Sequence, residues 1–86
     1  MYKIMITERV VKMLQRIPKS DVNQFMRKIE IIAQNPYAPL SFVKPLKNSQ
    51  NFRFRFGHYR GVYNVADAIL TITVIDVAHR KDIYKR

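Results

Sequence analysis

The stretch FRFRFGHYRGVY, residues 52–63, constrains the fold of this 86-residue chain more than any other segment. Its phenylalanines and arginines alternate, which is the period of a strand with one apolar and one charged face. Gly57 and His58 fit a two-residue hairpin turn, because glycine readily adopts the positive φ that opens a type II′ turn. This turn would place Arg55 opposite Arg60, although like charges directly opposite each other cost about 0.2–1 kcal/mol. The sequence therefore raises the question of what stabilises arginines clustered on one face.

Two amphipathic helices are predicted before the hairpin. Thr7 is a suitable N-cap for the first helix, which we expect to close before Pro18. Ser20 is the predicted N-cap of the second helix, and Asn35-Pro36 is expected to end it. Apolar residues recur at helical spacing in both segments. The two helices are therefore expected to form a helical hairpin packed against a flat surface.

Strands are predicted at residues 2–6 and 69–78, and the latter continues the hairpin as a meander. Residues 35–51 contain three prolines and are expected to form a loop. The order βααβββ predicts an α+β fold, with the helices on one face of a mainly antiparallel four-stranded sheet. A chain of this length predicts one domain, residues 1–86. The phenylalanine face would lie under the helices and the arginine face would stay open.

The charge balance indicates the kind of partner. Sixteen Lys and Arg against six Asp and Glu give a net charge of +10, which favours nucleic acid or an acidic protein. A membrane-surface protein would show a basic amphipathic helix with large apolar residues opposite, and no such helix is evident. The absence of cysteine, of a signal-peptide pattern and of a long apolar segment predicts a cytoplasmic protein without disulfides. With two histidines and few carboxylates, no metal or other cofactor is expected.

The candidate site is the arginine face together with its borders. A concave basic face with an aromatic ring at its edge suits single-stranded nucleic acid, since cations bind phosphates and the ring stacks on a base. Several cations on one phosphate also stabilise the charge that develops in phosphoryl transfer. A histidine beside the face could transfer a proton. Alternatively, the arginines form an ordinary solvated face that protects the sheet. The candidate residues are Lys44, Lys47, Arg53, Arg55, Arg60, His79, Arg80 and Tyr84.

The hairpin FRFRFGHYRGVYNV resembles the central hairpin of the RelE/ParE toxin superfamily, and the ending VAHRKDIYKR resembles the closing strand, basic turn and terminal tyrosine of that family. The element order, the Asn-Pro after the second helix and the segment VKPLK also match. The resemblance extends over essentially the whole chain. It implies a RelE-like fold and the toxin of a type II toxin–antitoxin pair.

RelE-type members enter the ribosomal A site, bind 16S rRNA and mRNA, and cut the mRNA without a metal. The resemblance implies attack of a ribose 2′-OH on the adjacent phosphate, which leaves a 2′,3′-cyclic phosphate. By the same resemblance, Arg60 and Arg80 stabilise the charge on the phosphate and Tyr84 stacks on a base. Arg53 and Arg55 match the two basic residues of the preceding strand. An acidic antitoxin is the implied protein partner, and we expect it to cover or displace the tail at residues 80–84.

One departure from the family pattern affects the proton transfer. RelE-type sites often carry lysine where Arg55 stands, and arginine stays protonated in proteins, so Arg55 is a poor base. Either His79 supplies the base, or the site relies on charge and positioning alone. ParE-type members share the fold and inhibit DNA gyrase, but they usually lack the full set of basic residues and tyrosine. A RelE-type nuclease is therefore the leading hypothesis, with a gyrase inhibitor and an inactive nucleic-acid- or antitoxin-binding relative as alternatives.

Overall fold

The structure, a computed structural model, describes residues 1–79 and contains a five-stranded sheet with both helices on one face. Strand order across the sheet is β1-β5-β4-β3-β2; β1 runs parallel to β5, and the other neighbouring strands are antiparallel. The predicted α+β fold is confirmed, with one strand more than expected. The elements are β1 (Lys3–Ile6), α1 (Glu8–Leu14), α2 (Lys19–Gln34), β2 (Val43–Pro45), β3 (Phe52–Phe56), β4 (Tyr59–Ala66), a short 3-10 helix (Asp67–Ile69) and β5 (Thr71–His79).

The additional strand is β2, which lies within the segment predicted as a loop. Val43 pairs with Phe54, and Pro45 pairs with Phe52 at the edge of the sheet. An edge strand tolerates proline because one side of it needs no hydrogen-bond donor. The prediction of a loop through residues 35–51 is therefore wrong for three residues.

The first helix is capped as predicted but is shorter. The side-chain oxygen of Thr7 accepts a hydrogen bond from the N–H of Val10 at 3.3 Å. The helix ends at Leu14, and the N–H of Ile17 donates to the carbonyl of Leu14 in a tighter turn. Pro18 has no N–H to donate to the carbonyl of Leu14, four residues before it, so the helical hydrogen-bond pattern cannot continue to Pro18.

The predicted cap of the second helix is wrong. Helix α2 begins at Lys19 with Pro18 as its N-cap, and Ser20 lies inside the first turn. The carbonyl of Pro18 accepts hydrogen bonds from the N–H groups of Asp21 and Val22. Pro18 has φ −53° and ψ 141°, outside the helical conformation as an N-cap residue is, and it makes no side-chain capping hydrogen bond.

The hairpin of β3 and β4 forms with the predicted turn and register. Gly57 has φ +58°, and Arg55 lies opposite Arg60. On the other face Phe54 and Phe56 are fully buried, and their ring centroids lie 5.7 and 5.2 Å from that of Phe25 in α2. Burial of these rings fixes which face is open, since a shift of one residue would expose all of them.

Strand β5 contains an irregularity that the sequence analysis did not anticipate. Tyr63 of β4 pairs with Val74, whereas the adjacent Val62 pairs with Asp76. Ile75 is therefore an extra residue, as in a β-bulge, and residues beyond it lie on the face opposite to the one that simple alternation assigns.

Within residues 1–79, neither helix combines the length and the apolar character that crossing a membrane requires.

Candidate anion-binding site

A shallow depression lies on the open side of the hairpin, and we call it the arginine depression. Its volume is about 90 Å³, several times what one water molecule needs. The cations come from β2, β3 and β4, so three neighbouring strands build one surface. Its lining residues are Ser41, Phe42, Lys44, Arg53, Phe54, Arg55 and Arg60.

The two strands bring the arginines together at close range. The N–H of Arg55 donates to the carbonyl of Phe42 at 2.9 Å, so it points away from β4. Arg55 and Arg60 therefore form a non-hydrogen-bonded pair, the type in which antiparallel Cα atoms approach to about 4.5 Å. On the side of β3 away from β4, Arg53 pairs with Lys44 of β2. Four side chains of like charge thus share one patch.

The depression carries an excess of positive charge, from Lys44, Arg53, Arg55 and Arg60. Within residues 1–79, no carboxylate forms an ion pair with Arg55 or Arg60. Arg60 donates from Nη1 to the carbonyl of Tyr59 at a long 3.4 Å. Close like charges without a counterion favour an anion between them, and guanidinium groups bind phosphate in a bidentate manner.

Most of the predicted basic residues lie where the sequence analysis expected them. Lys44, Arg53, Arg55 and Arg60 line the depression together. Lys47 is exposed beyond the end of β2 and is not among the lining residues. Arg80 and Tyr84 lie outside the described residues, so their roles stay predictions.

The expectation that His79 lies at the arginine face is wrong. His79 pairs with Tyr59, and their rings meet edge to face with centroids 5.4 Å apart. Tyr59 shares the helix-covered side of the hairpin with Phe56, whereas Ala78 lies opposite Arg60. The extra residue Ile75 is the cause, because it moves every later side chain of β5 to the other face. A signal existed in the sequence: the apolar positions of β5 shift from even to odd numbers between Val74 and Val77.

A cation from α2 was missed by the sequence analysis. Lys28 donates from Nζ to the carbonyl of Arg55 at 2.7 Å, and Nζ lies 5.0 Å from the centroid of the Phe42 ring. Its pKa is lowered, first by burial and then by Arg55, Arg27 and Arg60. Lys28 lies three residues after the buried Phe25, at the edge of the apolar stripe, and this spacing was the available signal.

The arrangement can bind a phosphate and stabilise added negative charge on it. Among residues 1–79, no group of three or more His, Cys, Asp or Glu side chains could hold a metal ion. The lining residues offer fixed cations and hydrogen-bond donors, the groups that stabilise developing negative charge.

Known proteins resemble this chain over nearly its full length. The family model described as "ParE toxin of type II toxin-antitoxin system, parDE" matches residues 4–84. A RelE-like toxin protein of Escherichia coli is 29% identical, covering 96% of this chain and 90% of its own length. Toxin RelE1 of Methanocaldococcus jannaschii is 31% identical, covering 98% of this chain and 96% of its own length.

Solved structures share the fold. The RelE–RelB complex of Pyrococcus horikoshii contains a chain with a TM-score of 0.81 and 29% identity, covering 92% of this chain and 94% of that one. The isolated E. coli RelE toxin has a TM-score of 0.80 at 20% identity, covering 100% of this chain and 98% of that one, and it supports the fold alone.

Proposed function

The chain belongs to the RelE/ParE toxin superfamily of type II toxin–antitoxin systems, and we propose that it is a ribosome-dependent endoribonuclease that cuts mRNA in the A site. The observation that carries the proposal is the arginine depression, where Lys44, Arg53, Arg55 and Arg60 surround space for a phosphate. Within residues 1–79, no carboxylate forms an ion pair with Arg55 or Arg60. An RNA phosphodiester is an anion of suitable size and charge for this surface.

The proposed reaction is a transesterification within one nucleotide linkage. The ribose 2′-oxygen attacks the adjacent phosphorus, the bond to the 5′-oxygen breaks, and a 2′,3′-cyclic phosphate and a 5′-hydroxyl result. Negative charge grows on the non-bridging oxygens, and preorganised cations stabilise it at the moment it develops. Arg55 and Arg60 would supply this charge, and Lys44 and Arg53 would bind the flanking backbone. No metal or cofactor takes part in the proposed step.

The proposed reaction also moves a proton from the attacking 2′-hydroxyl to the leaving 5′-oxygen. Arginine does not lose its proton in this pH range, so Arg55 stabilises charge and does not act as a base. The ring of His79 lies on the helix-covered side beside Tyr59, which weakens its case as the base. We therefore favour a reaction that depends on charge and on alignment of the 2′-oxygen by the ribosome.

The protein partner is an antitoxin. RelE–RelB complexes of P. horikoshii and M. jannaschii contain chains 29% and 26% identical to this one. We propose that the antitoxin offers acidic side chains to the arginine depression, since an acidic segment complements a chain with net charge +10. The expectation that it covers residues 80–84 stays a prediction outside the described residues.

Primer extension on an mRNA with ribosomes stalled at a known codon tests the proposal. With the purified chain, we expect a new 5′ end within the A-site codon, and no such end when ribosomes are omitted. Cleavage that proceeds equally on naked RNA would contradict ribosome dependence, and no cleavage in either sample would contradict nuclease activity.

Inhibition of DNA gyrase is the second candidate, and the observation that favours it is the match to the ParE family model over residues 4–84. A supercoiling assay with purified gyrase separates the two functions. Inhibition of supercoiling together with intact mRNA would favour the gyrase inhibitor. Cleaved mRNA together with normal supercoiling would favour the nuclease.

A further inference from the structure

Lys28 reaches from α2 to the border of the arginine depression. Its Nζ donates to the carbonyl of Arg55 at 2.7 Å and lies 5.0 Å from the centroid of the Phe42 ring. Both contacted residues line the depression. An ammonium has three N–H donors, and the hydrogen bond to Arg55 uses one of them, so donors remain for another acceptor. Lys28 is half-buried, so solvent and ligands can still approach it.

The surroundings of Lys28 are unfavourable for a positive charge. Burial lowers its pKa most, and the guanidinium groups of Arg55, Arg27 and Arg60 lower it further. They come from β3, from its own helix and from β4. Among residues 1–79, no carboxylate forms an ion pair with it. If Lys28 served only to bind one carbonyl, its charged form would be more stable without three arginines nearby. Their presence therefore points to a further role.

We propose that Lys28 is a further anion-binding residue of the arginine depression, and that binding of an RNA phosphodiester there is coupled to protonation of Lys28. This proposal rests on the proposed function for the identity of the anion. A phosphate among Arg55, Arg60 and Lys28 cancels the repulsion that disfavours the ammonium. By linkage, an anion that favours the protonated form is bound more tightly by that form, by the same factor.

The sign of the coupling follows from the charges. The arginines stay protonated throughout the accessible pH range, so they cannot produce a pH dependence. As the pH rises through the pKa of Lys28, the ammonium becomes a neutral amine and the anion loses one attraction. Affinity for the phosphodiester is therefore expected to fall on the alkaline side, and the bound anion is expected to raise the pKa of Lys28.

Binding of a short 2′-O-methyl oligoribonucleotide, measured by fluorescence anisotropy with the full chain, tests the proposal. The methyl group blocks the 2′-oxygen, so binding is measured without cleavage. Lys28→Gln is expected to weaken binding about fivefold at neutral pH, the effect of one lost charge interaction of ordinary strength. Lys12→Gln removes the same charge from an exposed position on α1 and is the matched control, expected to change binding less than about twofold.

A charge-retaining variant separates charge from structure. Lys28→Arg is expected to restore binding to within about twofold of the native chain and to remove the part of the alkaline decline that Lys28 causes. NMR titration of the Lys28 Nζ in the native chain, between about pH 7 and 10.5, is expected to show a higher pKa with the oligonucleotide than without it. The NMR measurement needs no substitution, so it stays decisive if Lys28→Gln fails to fold.

Three results would overturn the inference: equal binding by Lys28→Gln and Lys12→Gln, no recovery in Lys28→Arg, or an unchanged pKa of Lys28 at saturating oligonucleotide. Arg60→Gln distinguishes this failure from failure of the proposed site. If Arg60→Gln weakens binding and Lys28→Gln does not, the site stands and the role of Lys28 is wrong. If neither weakens binding beyond Lys12→Gln, the site itself is wrong and the inference falls with it.

Discussion

Two polar clusters on this molecule have opposite chemistry. At the arginine depression, Arg55 and Arg60 meet without a carboxylate partner among residues 1–79. At the second cluster, the hydroxyls of Tyr2 and Tyr37 donate to the two carboxylate oxygens of Asp67, each at 2.7 Å. Both hydroxyls of the tyrosine cluster have their acceptor in the chain, whereas Arg55 and Arg60 have no carboxylate partner in the part of the chain that the structure describes. A cluster whose partners all lie in the chain serves the fold, and a cluster that lacks them is a candidate for binding.

The tyrosine cluster joins parts of the chain that are far apart in sequence. Tyr2 precedes β1, Tyr37 follows α2, and Asp67 begins the short turn between β4 and β5. The ring of Tyr37 also meets Phe52 edge to face, with centroids 6.1 Å apart. Hydrogen bonds from the tyrosines lower the pKa of Asp67, and the bond to Asp67 is the main cause that raises the pKa of Tyr37 to about 12.

The largest expected effect is on activity at the depression. Arg60→Ala is expected to reduce RNA cleavage or toxicity about 100-fold, because it removes a preorganised donor to the developing charge. The free energy of unfolding is expected to stay level or to rise by a few tenths of a kcal/mol, since a like-charge pair is relieved. Growth inhibition in cells and thermal unfolding of the purified chain measure the two effects. Full toxicity of this variant would contradict the site assignment.

Gly61→Ala tests the core beneath the depression, at the residue next to Arg60. It is expected to affect stability more than activity. An added Cβ would collide with the Phe54 ring, which is fully buried. Overpacking of a core costs about 1–3 kcal/mol of unfolding free energy. Denaturant unfolding measures the loss, and an unchanged midpoint would show that the ring relaxes freely. Activity per folded molecule is expected to fall far less than in Arg60→Ala.

Asp67→Ala is expected to have the opposite effect to Arg60→Ala, because it should lower stability and leave activity unchanged. It removes the shared acceptor of Tyr2 and Tyr37, so the unfolding temperature is expected to fall while activity is unchanged. Glu30→Ala is the matched control, because Glu30 is an exposed carboxylate on α2. Equal unfolding temperatures for the two variants would mean that the cluster contributes nothing to the fold. If Asp67→Ala lost activity and Glu30→Ala did not, the tyrosine cluster would also serve the activity, and the contrast between the two clusters would be wrong.

The pH dependence of stability is the smallest expected effect. The pKa of Asp67 is lowered in the folded state. Its contribution to the free energy of unfolding is therefore present above the pKa of the unfolded chain, about 4, and is lost as the pH falls below that value. The pKa of Tyr37 is raised to about 12, so its contribution is present below about 10 and is lost as the pH rises towards 12. The difference in unfolding temperature between the native chain and Asp67→Ala is therefore expected to be constant near neutrality and to shrink at both extremes. A constant difference at all pH values would contradict this linkage.

The depression was largely predictable from local sequence. Alternation in β3, the glycine at position 57 and the pairing of Arg55 with Arg60 all follow from the period of a strand and the geometry of a two-residue turn. Lys28 was not predictable in this way, because it approaches Arg55 from a helix 27 residues away in sequence. The pairing of β2 with β3 was also missed, since a three-residue strand containing proline has no periodic signal.

The sequence by itself determined the α+β composition, the apolar and basic faces of the hairpin and the excess of positive charge. These depend on neighbouring residues, on the preferences of glycine and proline, and on the number of charges. Only the tertiary structure decided which groups share the depression. The extra residue at Ile75 moved His79 to the face away from Arg60, and the packing of α2 brought Lys28 to the border of the depression, against the carbonyl of Arg55. Both outcomes depend on how separate elements align, which the shift of apolar positions in β5 and the spacing in α2 indicate but do not specify.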